Sequence, residues 1–193
     1  MKNMKLQYVF VLFILVVIAQ LLVPAQMIFG QETVLNKGTA YKFKTQPVDP
    51  SDPYRGKYVT LSYDIRSFIT SDTIWERKQD IYVYFENDSL GFAKLTEVSK
   101  IPLVTAKDFV KTKVDWFNKY DKSVKFNLPF DRFYMEESKA KPAEDAFRIA
   151  QRDNLPNNTY ALVYVKEGEA VLKDLFINEV SIKDYVTINK NEE

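Results

Sequence analysis

The chain has 193 residues, 46% of them hydrophobic and 27% charged, with 14 Phe, 12 Tyr and 2 Trp, a balance that supports one packed domain plus a targeting segment. It has no histidine and no cysteine, which excludes a cysteine nucleophile, a Ser–His triad, a histidine base, the usual His/Cys zinc site and any disulfide. Its 27 basic and 26 acidic residues give a formal charge of +1, and no Lys/Arg block stands out to track a phosphate backbone, so nucleic-acid binding is not expected.

Two lysines, Lys2 and Lys5, open the chain, and no charge follows from Leu6 to Gln31. A membrane span needs about 20 mostly apolar residues, and this stretch meets that. A cleaved signal peptide is the competing reading, with Ala19 or Ala25 as the small residue before the cut. The apolar run exceeds the about 7–15 residues of a signal-peptide core, which favours an uncleaved anchor. The preceding lysines place the N-terminus in the cytoplasm and the remainder outside. The expected division is therefore residues 1–30, a cytoplasmic N-terminus and signal anchor crossing the bilayer over residues 6–29, and residues 31–193, an extracytoplasmic domain. With Lys2 and Lys5 set aside, that domain holds 25 basic and 26 acidic residues, formally −1.

Residues 38–48 read as a first strand stopped by Pro47. Pro47, Pro50 and Pro53 then stiffen an approach that holds Asp49, Asp52, Arg55 and Gly56 ahead of a second strand, "YVTLSYDI". Alternation puts Val59, Leu61, Tyr63 and Ile65 on the core face and Tyr58, Thr60, Ser62 and Asp64 on the other. Residues 80–87 and 91–98 form a hairpin turned near Gly91. Residues 109–117 and 123–128 form another, and residues 130–136 are a short strand. Along that strand Arg132, Tyr134 and Glu136 share one face, opposite Asp131, Phe133, Met135 and Glu137.

A helix follows at about 140–153. Pro142 suits the first helical position, Glu144 and Asp145 favour the positive end of the dipole, and Ala143, Ala146, Phe147 and Ala150 make one apolar face. Glu144 and Arg148 can pair across one turn. The chain ends in a hairpin turned at Glu167-Gly168 and a tail around "SIKDYV". Many short strands with one main soluble helix predict an α+β fold: an N-terminal transmembrane helix, then a mostly antiparallel β domain.

"GKYVTLSY" resembles the motif that names the GDYXXLXY family of bacterial proteins. Gly56, Tyr58, Leu61 and Tyr63 match it, and Lys57 stands where the motif has aspartate. The resemblance runs through "AQLLVPAQMI", "PVDPSDPYRG", "LPFDRFYMEE" and "GEAVLKDLFINEVSIKDY" in that order. It implies a single-pass protein of the bacterial cytoplasmic membrane and names no reaction.

Two enzyme options survive the missing histidine and cysteine. "RGKYVTL" resembles the glycine-led strand of type I signal peptidases, which use a Ser–Lys pair, but their serine motif is absent. Paired acids, Asp49 with Asp52 or Glu136 with Glu137, have the chemistry for acid–base work or for a hard cation such as calcium. Arg55 and Arg132 are ready partners for the same acids, so solvated ion pairs are the plainer reading. No catalytic set, metal site or cofactor is expected. The expectation is a non-enzymatic, membrane-anchored module contacting an integral membrane protein through Asp49, Asp52, Arg55, Gly56, Tyr58, Arg132, Tyr134, Glu136 and Glu137. The alternative is an anchored hydrolase or cation-dependent enzyme.

Overall fold

The computed structural model describes residues 2–46, 58–72, 74–152 and 159–190. The chain begins with helix α1, Lys2–Lys37, unbroken through the expected division at residue 30. The side chains described along its apolar stretch are exposed almost throughout. Its final turns are different: Val34 is buried, and the helix end packs on the strands Thr159–Lys166 and Glu169–Ile177. Only Gly38 separates α1 from strand β1, Thr39–Gln46. Its N–H donates to the Val34 carbonyl at 2.8 Å. A Cβ at Gly38 would lie 2.5 Å from that oxygen and 2.9 Å from the Val165 carbonyl. A side chain there would force helix and sheet apart.

The expected strand at residues 58–65 is divided into β2, Tyr58–Thr60, and β3, Ser62–Tyr63. The reason lies at Leu61, whose N–H turns to the Asp131 carbonyl at 2.8 Å. A short strand follows that the pattern of residues did not announce, β4, Ser67–Ile69. Then come the hairpin β5, Asp80–Asn87, with β6, Ala93–Ser99, and the hairpin β7, Asp108–Asn118, with β8, Ser123–Phe126. In the first turn Asp88 Oδ1 accepts the N–H groups of Leu90 and Phe92, both at 2.8 Å, while Gly91 takes a φ of 81°. Strand β9 is Arg132–Tyr134, shorter than expected.

Helix α2 covers Glu137–Arg152 and starts earlier than Pro142 would suggest. The Glu136 carbonyl accepts the Lys139 and Ala140 N–H groups at 2.9 and 3.0 Å, so the first turn forms ahead of the proline. Pro142 then costs one N–H near the helix start, and its fixed φ suits a helix. Ala140, Ala143, Phe147 and Ala150 are buried, one face at helical spacing. Arg148 pairs with Asp145 at 2.9 Å rather than with Glu144, which sits 3.9 Å from Lys141.

Strands β10, Thr159–Lys166, and β11, Glu169–Ile177, turn at Glu167 and Gly168, both with positive φ. Strand β12, Val180–Ser181, follows a second two-residue turn at Asn178 and Glu179, again both positive. Two left-handed central residues match the strand twist of a tight hairpin. The tail "SIKDYV" is largely a helix, α3, Ile182–Lys190, whose Ile182 and Val186 are buried.

The strands form a first sheet ordered β12-β11-β10-β1-β3, a second ordered β4-β8-β7-β5-β6, and the ribbon β2-β9. All the ladder pairings are antiparallel. The second sheet curls so that its edge strands β4 and β6 approach each other, and a Lys100–Asp72 ion pair ties the loops that follow them. The core between the sheets is rich in rings. Phe43, fully buried, meets Phe85, Phe130 and Tyr63 with centroids at 5.2, 5.0 and 5.9 Å. Each such edge-on ring pair adds about 0.5–1.5 kcal/mol beyond the area it buries. The architecture is α+β, with the long apolar helix at its N-terminus and two shorter helices against the β domain.

Candidate functional site

The motif strand is anchored by its inward side chains. Val59, Leu61 and Tyr63 are all buried, as the alternation requires, while Ile65 is half-buried. The Tyr63 hydroxyl donates to the Phe130 carbonyl at 2.7 Å. Burial, with Asp131 adding negative charge nearby, pushes that hydroxyl well above the ordinary tyrosine range. Tyr63 and Ser62 pair with Thr45 and Gln46 of β1, whereas Tyr58, Val59 and Thr60 pair with Tyr134, Phe133 and Arg132 of β9. Leu61 is therefore the pivot where the chain leaves one sheet for another. A cleft of about 70 Å³ beside it is lined by Leu61, Ser62, Tyr63, Arg66 and Asp131 among others. Ligand sites for drug-sized molecules run from about 300 Å³, so this cleft is water-sized.

The outward side of the β2-β9 ribbon gathers three of the expected binding residues. Tyr58 sits directly across from Tyr134, their rings 5.5 Å apart and tilted by 59°. The Arg132 guanidinium lies diagonally over the Tyr58 ring, 5.2 Å from its centroid. A hydrogen bond from Arg132 to the Tyr134 side chain, with Tyr58 and Asp131 nearby, raises the guanidinium's already high pKa further. Asp131 lies 4.0 Å from Arg132 Nε. The patch is open: Tyr134 is 65% exposed and Arg132 is exposed. Its back is closed, with Val59 and Phe133 buried behind it. Two aromatic rings and a cation are thus held on the outward side of a braced ribbon, with Tyr134 and Arg132 exposed and Tyr58 half-buried beneath the guanidinium.

Glu136 does not continue this strip. It caps α2, its carboxylate accepting from the Ser138 hydroxyl at 3.1 Å and lying 3.9 Å from Lys139. Glu137 is the first residue of α2 and is exposed. Asp49, Asp52, Arg55, Gly56 and Lys57 lie outside the described residues. Among the described residues, no three acidic side chains converge to hold a metal ion.

A second cluster escaped the sequence reading. Lys42 Nζ lies 5.0 Å from the Tyr160 ring centroid and 5.4 Å from that of Phe92, and 3.6 Å from the Glu179 carboxylate. The Tyr160 hydroxyl donates to the same carboxylate at 2.7 Å, and its ring stacks on Phe176 at 5.0 Å. Burial and the Glu179 carboxylate push the Tyr160 hydroxyl upward. Its members come from separate strands and turns, and no local spacing announces them.

Comparison with curated proteins finds no match, and neither does comparison with solved structures. The family comparison does find one, reaching from the middle of α1 into β11 and so taking in the pivot strand, the ribbon and the Tyr58–Arg132–Tyr134 patch together. The chain belongs to the GDYXXLXY protein family, whose family model matches residues 20–175.

Proposed function

We propose that the protein is a non-enzymatic module, anchored in the bacterial cytoplasmic membrane by α1, whose extracytoplasmic domain contacts an integral membrane protein through the Tyr58–Arg132–Tyr134 patch. The anchor reading rests on a helix long and apolar enough to cross a bilayer. Lys2 and Lys5 ahead of the uncharged stretch favour an N-terminus in the cytoplasm. The observation that carries the contact surface is the open ribbon face: Tyr134 at 65% exposure beside an arginine stacked on Tyr58. Tyrosine and arginine dominate binding hot spots, and rigid placement lowers the entropy lost on association. Confinement to one membrane raises the effective concentration of a partner in the same bilayer, so a small patch suffices.

The test separates binding from folding. Arg132→Ala and Tyr134→Ala, each in the full-length anchored protein, should leave the thermal melt within about 1 kcal/mol of wild type, since both side chains are exposed. Both should lose the membrane protein that cross-links to wild type. If both variants fold and recover the same partner, the patch is not the contact surface. Recovery of the Met1 end by mass spectrometry of the membrane fraction checks the intact anchor. A mature chain beginning at Gln20 or Gln26 would overturn it.

A further inference from the structure

Near the middle of α1 lies a polar residue whose own backbone is left short of a partner. The uncharged stretch from Leu6 to Gln31 has its midpoint between Ile18 and Ala19, so Gln20 sits about 2 Å from it along the axis at about 1.5 Å per residue. Its side chain is exposed. Four residues on, Pro24 lies inside the helix. Proline has no N–H, so the Gln20 carbonyl lacks the donor a regular helix would supply. Gln20 therefore carries an amide donor and a backbone acceptor at one depth, in a segment where hydrocarbon offers neither any partner.

We propose that Gln20 pairs α1 with the α1 of a second copy of this chain. This rests on the reading of α1 as a membrane span. Two copies inserted the same way bring identical residues to the same depth. Each Gln20 amide then faces the other copy's freed Gln20 carbonyl, so a two-fold pairing satisfies both. A different partner helix would need its own donor and acceptor at this depth, whereas a second copy has them by symmetry. Phe13, Val17, Gln20, Pro24 and Met27 follow the alternating four-and-three spacing of one seam between parallel helices. Leu22 points to the opposite side.

The absence of cysteine makes the test clean. Single replacements Val17→Cys, Met27→Cys and Leu22→Cys are made in the full-length protein in phospholipid vesicles and oxidised. Val17→Cys and Met27→Cys should give the disulfide-linked dimer, and Leu22→Cys far less. Adding Gln20→Leu should lower the dimer yield roughly three- to tenfold, the scale of interhelical polar contacts in membranes. Gln20→Asn, which keeps an amide, should retain most of it. Equal yields at Val17 and Leu22, or indifference to Gln20→Leu, would each overturn the pairing. Labelling Leu22→Cys with a water-soluble maleimide in intact vesicles separates the two readings. If the thiol reacts, the span reading fails and the pairing with it. If it is shielded and no dimer forms, the pairing alone fails.

Discussion

Replacing Leu61 by alanine probes the pivot between the β2-β9 ribbon and the first sheet. The side chain is 5% exposed and belongs to the central core. Truncating a buried leucine costs about 2–5 kcal/mol, the higher values where the site cannot collapse or fill. Here the residue lines a cleft of about 70 Å³, and a space of that size admits water. Part of the cavity term is thereby relieved, which places the expected loss in the lower half of the range, about 2–3.5 kcal/mol. At about 2–4 °C per kcal/mol for a domain of this size, the Tm should fall by roughly 4–14 °C. Near-UV circular dichroism of the full-length protein in detergent follows the melt through the buried aromatic cluster. Tyr58→Phe is the control, because that half-buried side chain lies on the opposite face of the strand from the core; its Tm should stay within about 2 °C. An unchanged melt for Leu61→Ala would show that Leu61 does not bear on the core and that the alternation assigned to this strand is wrong.

Tyr63→Phe leaves the Phe130 carbonyl without its 2.7 Å donor, and an unsatisfied buried acceptor costs about 1–3 kcal/mol, read in the same melts; no change would mean water replaces the hydroxyl freely. Gly38→Ala places a Cβ 2.5 and 2.9 Å from two backbone oxygens and should destabilise by about 1–3 kcal/mol, whereas an unchanged Tm would mean the end of α1 can shift without cost. Tyr41, Tyr63 and Tyr160 all have hydroxyls pushed upward by burial, with Asp108 acting on Tyr41 and Glu179 on Tyr160. A folded pKa above the unfolded value holds the proton in the native state, so stability is complete below about pH 10 and is lost as pH rises beyond it. Phenolate absorbance from these three tyrosines, isolated by comparing each Tyr→Phe variant with wild type, should therefore appear only together with unfolding; its appearance while the circular dichroism stays intact would refute the assignment.

Local patterns carried much of the fold. Gly91 and Gly168 mark their turns because each needs a positive φ, and the alternation of Val59, Leu61 and Tyr63 reports burial because a pleated strand shows its side chains to two faces in turn. The apolar spacing of α2 was readable for the same reason, but its start was not, since capping by Glu136 outweighed the usual preference for proline in the first turn. The division of the motif strand depends on which neighbour each half pairs with, and those neighbours, β1 and β9, lie far apart in the chain. The candidate patch was legible in part. Arg132 and Tyr134 follow from alternation, while their meeting with Tyr58 is a cross-strand event between residues 76 positions apart. Glu136 left the strip because the strand ends at Tyr134 and the helix claims the following backbone. The Lys42–Tyr160–Glu179 cluster had no local signature, being assembled by strand order alone.

The junction at Gly38 governs how the domain meets its surroundings. A tether of flexible residues would let a domain sweep a hemisphere of positions and orientations. Here helix becomes sheet within one residue, and the helix end is seated on β10 and β11. With α1 in a bilayer, the seven residues from Gln31 to Lys37 lift the sheet about 10 Å above the last apolar turn, and the helix tilt and azimuth become those of the domain. The Tyr58–Arg132–Tyr134 patch then travels at one altitude and one heading relative to the helix. Any surface that met the patch would have to present itself at that altitude, and a few flexible residues inserted after Lys37 would blur the altitude while leaving every side chain of the patch intact.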